Sequence, residues 1–117
     1  RIIVGSEFEN PTVLNRNDAS GERGIWAQND IYSYWKVNFK KGTYDFKFKF
    51  KDSITSKGTL FTEINNRVYS KKTEKVVYST LEMNDISIEN SEVDLISFLK
   101  LNNKKIFPFW IEIYKKN

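Results

Sequence analysis

Between Arg16 and Tyr34 the chain concentrates side chains that can hold a ligand: Arg16, Asp18, Arg23, Trp26, Asn29, Tyr32 and Tyr34. The indole of Trp26 offers a flat apolar surface on which the C–H face of a pyranose can stack while the sugar hydroxyls reach polar neighbours. Arg16 and Arg23 bring planar, bidentate donors suited to carboxylate or sulfate. Asp18, Asn29, Tyr32 and Tyr34 add donors and acceptors for hydroxyls. The chemistry this points to is binding of an acidic sugar. The same residues admit structural roles: Trp26 as a plug onto the core, and Arg16 as a bridge to Asp18 or Glu22 that pins the segment.

Catalysis is not expected. The chain has no His and no Cys, which removes the commonest general base, the thiol nucleophile and most transition-metal ligands. Glu7 and Glu9, two residues apart, read as solvated charges. Hard oxygen ligands at Glu7, Glu9, Asp18 and Asp30 would suit a structural calcium ion, although no spacing matches a calcium-binding loop.

The elements that must position these residues are strands. Tyr34–Lys51 alternates strictly, with Trp35, Val37 and Phe39 on one face, and Tyr44, Phe46, Phe48 and Phe50 on one face after a turn at Lys40–Thr43. Period-2 alternation marks half-buried strands, and the short turn predicts an antiparallel hairpin with an aromatic inner face. Its outer face is expected to carry Lys36, Lys47, Lys49 and Lys51 in one basic array. Further strands are expected at Ile2–Val4, Thr12–Asn15, Gly58–Ile64, Arg67–Ser70, Val76–Met83, Asp85–Ile88, Val93–Leu101 and Ile106–Tyr114. Asn65–Asn66 supplies a tight turn, and Lys71–Lys75 reads as a basic loop tip. Trp110, opposite Phe109 and Ile111 in the closing strand, faces outward or lies under a loop. About eight or nine short strands with regular turn signals predict an all-β antiparallel sandwich or barrel. Arg16–Ser33 is the longest stretch without periodicity, and such segments are commonly functional or packed surface loops.

The length of 117 residues fits one domain with a core that needs no disulfide staples. The chain begins at Arg1 without an initiator Met, so it reads as a domain excised from a longer protein. No segment approaches the run of about 18 apolar residues that crosses a membrane. The excess of 19 basic over 15 acidic residues, +4, favours acidic partners without naming one.

Several runs resemble the C-terminal non-catalytic β-sandwich of bacterial arylsulfatases. They are Ile2–Ser6, Glu9–Pro11, Leu14–Asp18, Gly24–Trp26, Tyr34–Val37 and Lys41–Asp45. The resemblance covers nearly the whole chain through the order and spacing of these runs. A departure lies at Ala19–Gly21, where that family often has Trp-Arg-Gly. The hairpin is similar, more distantly, to galactose-binding-like jelly-roll carbohydrate-binding modules. The resemblance implies a jelly-roll sandwich without the sulfatase formylglycine signature, secreted, periplasmic or on a bacterial cell surface.

The expected function is therefore a carbohydrate-binding module for an acidic, in particular sulfated, polysaccharide. It would serve a covalently linked catalytic domain such as a sulfatase. The alternative is a structural domain that packs against that catalytic domain and binds nothing of its own. Nucleic acid is not an expected partner, because no nucleic-acid-binding motif accompanies the basic residues. Membrane insertion is not expected either.

Overall fold

Alternation of apolar and polar residues decides most of the elements. The computed structural model describes residues 2–6, 9–20, 34–64, 66–74 and 79–116. Among them are ten strands: β1 (Ile2–Val4), β2 (Thr12–Asn15), β3 (Trp35–Phe39), β4 (Gly42–Lys49), β5 (Gly58–Ile64), β6 (Arg67–Thr73), β7 (Thr80–Ile88), β8 (Ser91–Leu101), β9 (Lys104–Ile106) and β10 (Trp110–Lys115). A 3-10 turn at Arg16–Asp18 is capped by Asn15, whose side chain accepts from the Asp18 amide.

One sheet has the order β1–β3–β8–β5–β6, with β9 also paired to β8, and the other has the order β2–β10–β4–β7. Consecutive strands almost always lie in opposite sheets. Only β5–β6 and β8–β9 are sequential hairpins. That interleaving is a jelly roll, an all-β sandwich as expected. Pairing between the central strands is antiparallel, and β1 adds a parallel edge beside β3.

The Tyr34–Lys51 hairpin is not formed. β3 pairs with β1 and β8, whereas β4 pairs with β10 and β7. Alternation correctly marks the inner faces: Trp35, Val37, Phe39, Tyr44, Phe46 and Phe48 are all buried. It carries no information about which strand lies beside which. The chain crosses the sandwich at Lys40–Lys41, so the two aromatic faces meet across the interior. Phe39 packs edge-on against Tyr44 at 5.5 Å between centroids and tilted against Phe46 at 6.3 Å. One basic face is consequently split. Lys47 and Lys49 lie outward on β4, Lys36 lies opposite Asp94 in the other sheet, and Lys51 follows the end of β4.

Other elements shift by smaller amounts. Lys71–Thr73 belongs to β6 instead of a loop tip, and the Lys71 ammonium donates to the Glu82 carbonyl at 2.9 Å. Val76–Met83 and Asp85–Ile88 were expected as separate strands, and the described part is a single β7. Asp85 sits at φ 59 beside a register shift at Tyr44/Phe46, and its amide donates to Asp45 at 3.0 Å. A bulge of this kind absorbs one residue without ending the strand. The expected closing strand Ile106–Tyr114 divides into β9 and β10, because Phe107 and Pro108 leave the ladder to serve as acceptors for Arg16. Asn66 takes the left-handed turn geometry at φ 65, while Asn65 lies outside the described residues.

The β3–β4 crossing is held by a single phenol. The Tyr44 hydroxyl donates to the Lys40 carbonyl at 2.5 Å and lies 3.4 Å from the Val4 carbonyl. Burial raises its pKa, so it stays a donor. Gly5, at φ 93, passes so close that an added Cβ would overlap this hydroxyl. Tyr44→Phe should leave the part-buried Lys40 carbonyl without this donor and lower stability by about 1 kcal/mol. Urea unfolding should show a lower midpoint with an unchanged slope.

Candidate ligand-binding surface

The described residues anchor the Arg16–Tyr34 segment at both ends. The Ser20 amide donates to the Tyr34 carbonyl at 2.8 Å, and the Tyr34 amide returns a bond at 3.2 Å. The end of β2 at Asn15, the start of β10 at Trp110, the end of β4 at Lys49 and the start of β7 at Thr80 lie at one end of their sheet, as their pairing requires. Arg23, Trp26, Asn29 and Tyr32 lie outside the described residues. Asp18 is exposed and Tyr34 half-buried at the root of the segment.

Arg16 does not face a ligand. It is 5% exposed, and its guanidinium donates to the Phe107 carbonyl at 2.8 Å and the Pro108 carbonyl at 3.3 Å. The same group lies over the Phe109 ring at 4.7 Å. Burial lowers its pKa from the ordinary arginine value, and two carbonyls plus a ring face compensate the charge. The sequence suggested Asp18 or Glu22 as the partner. Glu22 lies outside the described residues, and the described partners lie some ninety residues downstream, a distance no local pattern reveals.

A second surface lies on the outer face of the β2–β10–β4–β7 sheet. β10 buries Ile111 and Ile113, so Trp110, Glu112 and Tyr114 point outward. With a strand rise of about 3.3 Å per residue, Trp110 and Tyr114 stand roughly 13 Å apart. Glu112 sits between them and accepts from the Trp110 indole N–H at 3.3 Å and the Tyr114 hydroxyl at 3.1 Å. That hydrogen bond, then desolvation, raises the Tyr114 pKa. One carboxylate thereby fixes the orientation of both rings.

Two lysines of the neighbouring strand complete the set. Lys49, opposite Trp110, places its ammonium 5.6 Å from that ring, and Lys47, opposite Glu112, lies 5.8 Å from the Tyr114 ring. Lys47 also reaches Glu82 at 3.9 Å. Exposed cation–π contacts contribute only about 0.5–1 kcal/mol. A flat ligand can displace either ammonium at small cost, and the displaced ammonium then meets an acidic substituent. Trp110 is 37% exposed and Val13 on β2 is 43% exposed, which extends the apolar part of the surface. Sequence alternation placed Trp110 outward as one of two alternatives. The sequence reading did not connect it with Tyr114, Lys47 and Lys49, because that requires the β10–β4 register.

Among the described residues no group of three or more His, Cys, Asp or Glu side chains could hold a metal ion. Glu7 and Asp30, two of the expected calcium ligands, lie outside them. No helix among the described residues is long and apolar enough to cross a membrane.

Fold and surface together define a jelly-roll β-sandwich with an aromatic, lysine-flanked outer sheet face. No protein-family model matches the chain, and no curated protein matches it in sequence. Among solved structures, a β-glucuronidase from Bacteroides uniformis is similar over 77% of this chain, with 16% identity and a TM-score of 0.47. The matched part is 11% of that enzyme's chain.

Arg16→Lys should lower stability by about 2 kcal/mol in urea unfolding. A single ammonium cannot serve both carbonyls in the guanidinium plane while stacking on Phe109.

Proposed function

We propose that this domain is a non-catalytic carbohydrate-binding module for an acidic, in particular sulfated, polysaccharide. Its role is to hold a covalently linked catalytic domain, such as a sulfatase, close to that polymer. The observation that carries this reading is the Trp110–Glu112–Tyr114 array: two outward rings on one strand, oriented by one carboxylate and flanked by Lys47 and Lys49. Aromatic rings spaced along a strand suit an extended chain of sugars, each ring meeting a C–H face. The root of the 16–34 segment, with Asp18 and Tyr34, lies at the Trp110 end of the same sheet, so Arg23, Trp26, Asn29 and Tyr32 remain candidates for extending the site.

Tethering requires little affinity at any single contact, because a linked module raises the effective concentration of its enzyme at the polymer. The absence of His and Cys agrees with a binding role. A structural role against a catalytic domain is the second reading. It draws on exposed Ile3 on the edge strand β1, 51% exposed, together with Val13.

Affinity electrophoresis through gels containing a sulfated polysaccharide or its desulfated form tests the proposal. Migration should be retarded most by the sulfated polymer. Trp110→Ala should weaken the apparent affinity about fivefold, the loss of roughly 1 kcal/mol of stacking. No retardation in any gel would favour the structural reading, and retardation untouched by Trp110→Ala would remove the Trp110 array as the site.

A further inference from the structure

The outer face of the other sheet carries a row of charge that the Trp110 surface does not use. Thr59 on β5 lies opposite Lys72 on β6 and opposite Lys100 on β8. Lys100 in turn lies opposite Lys105 on β9. Three lysines therefore stand in one cross-strand row, all three exposed. Among the described residues none of the three makes an ion pair with a carboxylate.

Such a row is costly. Like charges directly opposite one another destabilise a sheet, and Lys100 faces Lys105 in that position. Lysines on edge strands discourage edge-to-edge aggregation, which accounts for Lys72 on β6 and Lys105 on β9. Lys100 is on β8, which is paired on both sides, so edge protection does not account for it.

The next row of the same face is aromatic. Phe61 lies opposite Phe98, with ring centroids 5.3 Å apart, and the Lys105 ammonium lies 4.7 Å from the Phe98 ring. A surface cleft runs beside Phe61, Lys72 and Lys100 and is walled in part by Thr73. Among the described residues the hydroxyl of Thr73 is buried without a hydrogen-bond partner, an uncommon state in folded proteins.

We propose that this face is a second binding surface, on which an acidic polysaccharide chain lays its sulfate or carboxylate groups along Lys72, Lys100 and Lys105 and its sugar rings against Phe61 and Phe98. The inference rests on the glycan-binding reading above and extends it. The two surfaces lie on opposite sides of the sandwich, so one short oligosaccharide cannot occupy both. One copy of the domain then bridges two polymer chains. The division of labour follows from ion pairing: Lys47 pairs with Glu82 and lies opposite Glu112, whereas Lys72, Lys100 and Lys105 make no ion pair among the described residues, and Glu74, which lines the same cleft, pairs with Lys57. Acidic groups are read mainly on the lysine row.

Titration calorimetry with a short sulfated dextran oligosaccharide as probe tests this. Neutral dextran and a single-stranded DNA of matched charge serve as comparisons, and turbidity is followed with long sulfated dextran. Wild type should bind two oligosaccharides and cloud the long polymer. The double variant Lys100→Gln/Lys105→Gln, shown to be folded by a thermal midpoint no lower than that of wild type, should bind one, lose roughly tenfold in affinity for the sulfated over the neutral probe, and leave the polymer clear. Trp110→Ala should weaken one of the two sites about fivefold and keep the preference for sulfate.

Stoichiometry and turbidity unchanged in the double lysine variant would overturn the second surface and leave the first intact. No binding of any glycan by wild type would instead remove the glycan-binding reading itself. Equal, lysine-dependent binding of the DNA would overturn the choice of a polysaccharide as occupant.

Discussion

The crossing from β3 to β4 is the constraint on which the rest depends. Phe39 is the last residue of one sheet's strand, and Tyr44 and Phe46 open the facing strand of the other. Their contact across the interior joins the two sheets within a few residues of chain. The Tyr44 phenol then closes the turn by donating to Lys40, beneath Gly5. Once the chain has crossed there, β3 and β4 cannot pair with each other, and β3 pairs with β1 and β8 while β4 pairs with β10 and β7. Hydrophobic burial chooses the faces, but this tight connection chooses the sheets.

Two outer faces follow from that choice. Because β4 is kept out of the β3 sheet, its outward lysines come to lie beside β10, where Trp110 and Tyr114 point outward. Because β8 pairs with β5 and with β9, three lysines from different strands align across the opposite face. Neither set is contiguous in the chain. Each depends on strand register, since a slip of one residue would exchange every inward and outward side chain. The buried Thr62–Ser97 hydrogen bond at 3.1 Å lies on the inner side of the β5–β8 pair and satisfies two polar groups there.

Much of the fold was legible in the sequence, and the reason is visible in particular residues. Trp35, Val37, Phe39, Tyr44, Phe46 and Phe48 alternate because each second residue must enter the core, so their burial could be read directly. The neighbour of each strand could not, because alternation is blind to pairing, and the short Lys40–Lys41 connection suits a hairpin and a sheet crossing equally well. Arg16 was legible as a guanidinium needing partners, but its acceptors at Phe107 and Pro108 are brought to it only by tertiary structure. Lys72 was legible only as part of a basic tip and Lys100 and Lys105 gave no signal, since the row exists only once the β6–β5–β8–β9 register sets them side by side. Of the expected ligand residues, Arg16 belongs to the scaffold, Asp18 and Tyr34 stand at the root of the segment, and Arg23, Trp26, Asn29 and Tyr32 fall outside the described residues.

A map of backbone amide shifts during titration with a sulfated oligosaccharide addresses the central claim most directly, because it reports position and does not depend on any substitution. The account predicts two separate groups of shifting amides, one on β4 and β10 around Lys47, Lys49, Trp110 and Tyr114, the other on β5, β8 and β9 around Phe61, Lys100 and Lys105. Shifts confined to the β1 and β2 edge around Ile3 and Val13, or no shifts at saturating oligosaccharide, would contradict it and point to a surface made for packing against another domain.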